Sequence, residues 1–557
     1  MCQILFSKPF KIYTIVLSLL LKKYKKSRGT LAPAEESTAE YWTRRAHCAI
    51  EKRLSRAATH RHARNVVMFL GDGMSVPTLA AARTLLGQRA GNTGEETQLH
   101  FETFPTTGLS KTYCVDAQTA DSACSATAYL CGVKGNIGTI GVTGGVPRWH
   151  CNQTAQTEHY VHSIAEWALA DGRDAGIVTT TRVTHASPAG AYAHIANRDW
   201  ESDADVVDTC GPAAPHVTPQ PADIALQLVH NHPADQFKVI LGGGRREFLP
   251  KSVIDEEGTR GRRTDGRHLI KEWQEDKRAR NVSYQYVWNR DQLIDAASDL
   301  PEYLLGLFEG SHMQYHMQAD PHTEPTLAEL TEVAIRSLSR NERGFFLFVE
   351  GGRIDHAHHE NLAQLALDET IELSAAVERA SALLSEDDSL VVVTSDHAHV
   401  MSISGYNARG ADVVGPSDDV ADDGVPYMTL SYANGPGYRP HADSGLRQDL
   451  TQHDYRKNTC SFSYALVPLQ SETHGGDDVA VFAAGPHHHM FTGVYEQSEL
   501  PHLMGYAACI GPGPHSSNNR HYKFQPVRLF AHLARITASY IYEVLTSLLR
   551  KAYDSFD

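Results

Sequence analysis

Phe345-Phe346-Leu347-Phe348-Val349-Glu350-Gly351-Gly352-Arg353-Ile354-Asp355-His356-Ala357-His358-His359 sets the frame for the whole chain. The opening run of large apolar residues, aromatic or branched, reads as a strand buried on both faces. A glycine pair ends the run, and Glu350, Asp355, His356, His358 and His359 crowd the residues around it. In an open parallel sheet, ligands bind beyond the carboxyl ends of the strands, which is where such polar residues would stand.

The same pattern recurs in both directions along the chain. Val66–Leu70 runs into Gly71-Asp72-Gly73, and Leu390–Thr394 into Ser395-Asp396-His397-Ala398-His399. Gly176–Thr180 leads through Arg182 to His185-Ala186-Ser187, and Val239–Leu241 is a further apolar run. Helical spacing with good helix formers fills the intervals at Glu158–Ala170, Leu327–Ser339 and Asn361–Leu384. The expectation is an α/β fold: a large central, mostly parallel sheet flanked by helices. No internal repeat is present. Residues 405–470, rich in Gly, Asp, Pro and Tyr, read as a small inserted subdomain, and residues 265–325 read as irregular and charged. The chain then divides into a peripheral or processed segment (1–64), one catalytic domain (65–510) and a tail (511–557).

Four strand ends bearing Asp, Glu, His and Ser predict a metal-rich site. Any one of these residues alone would be an ordinary satisfied loop or core residue. In Asp355-x-x-x-His359 the two side chains share a face if a helical turn follows the strand. Imidazole with carboxylate suits zinc, and His474 in Glu472-Thr473-His474-Gly475-Gly476-Asp477 is the candidate third ligand, leaving a position open for catalysis. Asp396 and His397 offer a second nitrogen–oxygen pair, and Asp72 a bridging carboxylate. Asp72, Ser187 and Glu350 form an all-oxygen set suited to magnesium.

The candidate nucleophile is Ser122, in Asp121-Ser122-Ala123-Cys124-Ser125-Ala126-Thr127-Ala128-Tyr129. Small residues followed by helix formers place it at a helix start, where free N–H groups favour an alkoxide and a phosphate. Alone, Asp121-Ser122 would be an ordinary cap; the metal set gives it a second meaning.

Composition bounds the rest. The chain has 557 residues, 41% hydrophobic and 21% charged, as in soluble globular proteins. A net charge of −15 argues against a nucleic-acid-binding face. Ile12–Leu21, preceded by Lys8 and Lys11, has the length of a signal-peptide core, although Lys22-Lys23-Tyr24-Lys25-Lys26 is an unusual continuation. Nine cysteines leave at least one unpaired within the chain, and Asn152 and Asn281 begin glycosylation sequons. Export is expected, to the medium or to the outer face of the cell membrane. The tail from Val527 to Leu549 reads as an amphipathic helix and matches a lipid-anchor signal poorly.

The stretches VVMFLGDGM, DSACSATAYLCGVKGN, HASPAGAYAHIANRDW, VEGGRIDHAHHE, TSDHAHV and ETHGGDDVAVFA together resemble the alkaline phosphatase family, animal form, over residues 65–510. The resemblance implies hydrolysis of phosphate monoesters through a phosphoserine at Ser122. It implies one zinc on Asp355, His359 and His474, a second on Asp72, Ser122, Asp396 and His397, and magnesium on Asp72, Ser187 and Glu350. Arg198 matches the arginine that grips the substrate phosphate, a role suited to a planar fork. Asp121, His185, His356 and His399 would support the ligands from behind. A calcium ion is implied at Glu257, Phe308 (by its carbonyl), Glu309 and Glu324. The resemblance also implies a homodimer with residues 405–470 as an interface-forming crown, and a Cys151–Cys210 disulfide. It leaves the pairing of Cys114, Cys124, Cys460 and Cys509 open. The rival readings are a sulfatase or phosphodiesterase of the same superfamily, disfavoured by the combined Ser187, Glu350 and Arg198, and a catalytically silent binding protein, disfavoured because no ligand is lost.

Overall fold

The computed structural model describes residues 61–152, 157–211, 221–439, 447–449 and 463–512. The apolar N-terminal run, nearly all of the C-terminal tail, Cys460 and much of the proposed crown lie outside these residues.

Ten strands form one sheet: β1 (Asn65–Gly71), β2 (Thr106–Lys111), β3 (Asp174–Arg182), β4 (Val239–Gly243), β5 (Tyr284–Val287), β6 (Tyr303–Leu307), β7 (Phe345–Gly351), β8 (Ser389–Ser395), β9 (Val479–Ala484) and β10 (Gly493–Glu496). Their spatial order is β10-β2-β9-β8-β1-β7-β3-β4-β6-β5. The sheet is mixed, because β9 runs antiparallel to both β2 and β8 while the other pairs are parallel. Every residue of β1, β7 and β8 is buried, which is why these strands are near-continuously apolar in sequence.

Alternation along the strands builds two cores. Val66, Met68, Leu70, Phe346 and Phe348 pack on one side, with helix α2 (Ser122–Cys131) and helix α3 (Ile164–Ala170). Val67, Phe69, Leu347 and Val349 pack on the other, with α1 (Val76–Arg89), α4 (Leu327–Leu338) and α6 (Ala363–Leu383). The expected α/β architecture is therefore present.

Register then places the site. Gly71 pairs with Gly351 on one side and Ser395 on the other, so Asp72 and Asp396 leave adjacent strands at the same level. Glu350 pairs with both Leu70 and Thr179. Immediately beyond β7, α5 (Arg353–His359) supplies the helical turn that the Asp355–His359 spacing requires.

Two readings of local structure change. The helix expected over 158–170 begins only at Ile164, because the Ser163 hydroxyl caps it, accepting from the Glu166 N–H at 3.2 Å. Residues 265–325 are not irregular throughout. They contain β5 and β6 with the helices Leu269–Ala279 and Arg290–Ser298, whose few buried anchors, Leu269, Ile270 and Trp273 in the first, sit among charges that hide the period. Within the 405–470 insertion, Leu430–Gly435 pairs with Met401–Ile403 and with Tyr464–Pro468, and Pro416–Val420 pairs with Pro426–Met428. No helix among the described residues is long and apolar enough to cross a membrane.

Candidate active site and metal centre

Ser122 is the first residue of α2 and is almost fully buried. Asp121 is its N-cap: one carboxylate oxygen accepts the Cys124 N–H at 3.2 Å and the Gly138 N–H at 2.9 Å. Ser122 therefore stands at the positive end of the helix dipole. Ser122 Oγ lies 3.2 Å from His397 Nε2.

Around this serine the predicted residues gather in overlapping groups. His397 Nε2 lies 3.0 Å from Asp396 Oδ2 and 3.5 Å from Asp72 Oδ1. Asp355 Oδ1 lies 3.4 Å from His359 Nε2 and 3.3 Å from His474 Nε2, and these two nitrogens are 3.0 Å apart. The His397 and His474 rings stack with centroids 3.5 Å apart, joining the two sets. Ser187 Oγ reaches Asp72 Oδ2 at 3.5 Å, and Glu350 takes hydrogen bonds from Thr179 and Thr181.

The donor chemistry fits cations. Asp72 Oδ1, Glu350 Oε1 and His397 Nδ1 are buried without a hydrogen-bond partner, a state expected to be costly in a protein that held no ion there. Burial, then the neighbouring Asp396, Asp355 and Glu350, push the Asp72 carboxyl well above the usual carboxylate range. Burial likewise lifts Glu350 to about 7. Burial lowers His359 and His474, keeping both imidazoles in the neutral form that ligates metals. Asp355, His397, His399 and His474 have ligand atoms close enough to share an ion, as do Asp72, Asp396 and His397.

Arg198 borders the same cluster. It donates to Asp121 Oδ2 at 3.0 Å and to His185 Nε2 at 3.1 Å. Burial alone would lower its pKa, but Asp121, Asp72 and Asp199 together outweigh burial and hold the guanidinium charged. Burial and Arg198 both depress His185, which matches a neutral ring accepting that N–H. His356 stacks edge-on against His185 and His312 and lies 2.9 Å from Arg353. His399 stands closer than expected: its Nε2 lies 2.6 Å from Asp355 Oδ1, and its Nδ1 bonds Glu472.

Glu472 is the residue that sequence reasoning missed. Its second carboxylate oxygen accepts the Val400 N–H at 2.8 Å, and its carbonyl lies 2.5 Å from His359 Nδ1. Two imidazoles are thus oriented from one residue, whose only sequence signal was its place two positions before His474. Outer partners of this kind tune metal affinity by about 10–100-fold. Glu472→Gln is expected to speed zinc loss to a chelator by about tenfold while leaving the fold intact; an unchanged zinc off-rate would remove Glu472 from this role.

Apart from this cluster, Gln314 bridges Glu324 and Glu309, its N–H to Glu324 Oε2 at 2.9 Å and its amide to Glu309 Oε1 at 3.2 Å. Burial, with Glu309 adjoining, lifts the Glu324 carboxyl to about 8. Glu257 is paired with the buried Arg245 at 3.0 Å, and Phe308 is buried at the end of β6. Disulfides join Cys151 to Cys210 and Cys114 to Cys124.

The family model for alkaline phosphatase matches residues 63–510. The chain is 62% identical over 486 residues to a membrane-bound alkaline phosphatase of Bombyx mori, covering 86% of this chain and 87% of that one. It is 46% identical to the tissue-nonspecific alkaline phosphatase isozyme of Felis catus, over 87% of this chain and 91% of the relative. Among solved structures, the alkaline phosphatase of Thermus thermophilus superposes with a TM-score of 0.57 at 22% identity, over 82% of this chain and 93% of the other. That of a psychrophilic Shewanella gives 0.54 at 24% identity, over 80% and 99%. These two likenesses concern the fold alone.

Proposed function

The chain belongs to the alkaline phosphatase family and is a phosphomonoester hydrolase, and on that premise we propose that it works through a phosphoserine at Ser122. The observation that carries this reading is Ser122 Oγ at a helix start, 3.2 Å from His397 Nε2, in a cluster where one buried oxygen each of Asp72 and Glu350 has no hydrogen-bond partner. Asp355, His359 and His474 would hold one zinc; Asp72, Ser122, Asp396 and His397 a second; Asp72, Ser187 and Glu350 a magnesium. When bound, such ions lower the pKa of a ligated hydroxyl or water and neutralise charge on the apical oxygens.

The residues of the chain do the rest. Ser122 Oγ attacks phosphorus in line with the ester oxygen, forming the Oγ–P bond as the P–O bond to the alcohol breaks. Arg198 and the free N–H groups of α2 hold the equatorial oxygens, whose charge must be met throughout the transfer. Asp121 fixes the Arg198 fork from behind. Water then attacks the phosphoserine, releasing inorganic phosphate and restoring the serine hydroxyl.

Arg198→Ala is expected to lower kcat/KM for a chromogenic phosphomonoester by about 100-fold, the scale of one transition-state donor, and to weaken competitive inhibition by inorganic phosphate. Unchanged phosphate inhibition would remove Arg198 from the clamp. Comparing a monoester with a diester and a sulfate ester tests the reaction class; faster turnover of either alternative would overturn it.

Further parts of the reading rest on the resemblance. Calcium would sit at Glu257, Phe308, Glu309 and Glu324, supported by the buried Glu324 carboxyl with Glu309 adjoining it. A homodimer would meet through the crown, supported by the exposed Tyr406, Val420 and Leu466. Secretion or attachment to the outer membrane face is supported by the disulfides, which persist in oxidising compartments, and by the membrane-bound Bombyx mori relative.

A further inference from the structure

We propose that the Cys114–Cys124 disulfide is a positioning element of the active site, locking Ala120 and Asp121 against the first turn of α2 and so aligning His474 and Arg198. Residues 112–121 form the connection from β2 to the nucleophile helix. Their only apolar cluster is small and separate from the two cores of the sheet: Cys114, Ala120 and Cys124, with Ala117 and Ile137 packed against them. Hydrogen bonds tie the connection at Val115, whose N–H donates to the Gly135 carbonyl at 3.0 Å, and at Asp116, which accepts the Ile137 N–H at 2.8 Å, but so small a cluster adds little burial to them. The disulfide adds a covalent constraint, closing a loop with a sequence separation of 10 and a Cα–Cα distance of 5.8 Å.

What is constrained bears directly on the site. The Ala120 carbonyl lies 2.7 Å from His474 Nδ1, fixing which nitrogen of that ring faces Asp355. The Asp121 carboxylate divides its oxygens between the Cys124 and Gly138 N–H groups and Arg198. The Asp121 carbonyl accepts the Ser125 hydroxyl at 2.9 Å. Thus Cys124 is bonded both to the cap that orients Arg198 and, through sulfur, to the start of the loop. Both cysteines are 2% exposed, so the link is shielded and its reduction in the folded protein is slow.

The proposal rests on Arg198 as the phosphate clamp. Its test is Cys114→Ala/Cys124→Ala with metal content verified, reading the competitive Ki of inorganic phosphate beside the thermal midpoint. The Ki is expected to rise about tenfold, the effect of loosening one charge-assisted hydrogen bond. Asp121→Asn is expected to raise Ki less in the tetherless protein than in the natural one, since both changes act on one contact. A lower thermal midpoint with unchanged Ki, or a strictly additive cycle, would overturn the proposal and leave a staple of stability alone. Should the double variant not fold, the bond is reduced in metal-loaded Cys151→Ala/Cys210→Ala protein. Ki should then climb in step with thiol labelling at Cys114 and Cys124, and a flat Ki after complete labelling would overturn the proposal. Arg198→Ala run alongside separates the two readings: if it leaves Ki unchanged, the clamp fails; a clamp effect without a tether effect overturns the tether.

Discussion

Ser122→Ala is expected to abolish the phosphoenzyme and to lower kcat by roughly 10⁴–10⁶-fold, the range seen when a covalent nucleophile is removed from an otherwise intact site. The change deletes one oxygen, whose contact is with His397 Nε2 at 3.2 Å. The helix cap is untouched, because Asp121 rather than Ser122 accepts from Cys124 and Gly138. Alanine also suits the first turn of a helix. Folding should therefore survive within about 1 kcal/mol, and most of the ion-binding set stays in place. Acid quenching after exposure to labelled phosphomonoester, with zinc measured on the same sample, reads both quantities. Labelled phosphoserine persisting in the variant would show that another residue is the nucleophile.

The strand ends were legible because burial on both faces leaves β1, β7 and β8 apolar throughout, so the polar residues that follow stand out. Asp355 and His359 were legible as a pair because a helix turn repeats near every four residues, and α5 begins where that spacing needs it. Glu472 was not, since a glutamate beside a loop threonine has no period; its role exists only once His359 and His399 converge on it from different elements. The reversal of β9 was equally hidden, because strand direction leaves no mark on a buried apolar run. The pairing of Cys114 with Cys124 needed coordinates, whereas that of Cys151 with Cys210 followed from resemblance. The charged stretch 265–325 misled because its helices bury only a few anchors each.

Stripping divalent cations is expected to remove activity completely and to give the Asp72 and Glu350 carboxyls a contribution to stability that shrinks as pH rises. Without cations, burial and three neighbouring carboxylates hold Asp72 far above its usual range, and burial lifts Glu350 to about 7 against an ordinary 4.5. Between those values the folded chain keeps a proton on Glu350 that the unfolded chain has released. At this group the folded state then binds more protons, so the Glu350 contribution falls with rising pH across that window. The histidines His185, His359 and His474, held low by burial, contribute a slope of the opposite sign. For Glu350 alone the loss is on the order of 3 kcal/mol by neutral pH, and Asp72 adds in the same direction. A bound cation replaces the missing protons and satisfies the partnerless oxygens of Asp72 and Glu350. The metal-loaded enzyme should therefore show little of this slope, and zinc with magnesium should restore both stability and turnover to the stripped protein. Denaturant titrations from pH 4.5 to 8, with and without a chelator, measure the slope, and a phosphomonoester assay on the same samples measures recovery. Full turnover after zinc has been removed to completion would sink the metal-centre reading, and a metal-free Glu350→Gln variant with the same pH slope as the natural protein would contradict the role given to Glu350.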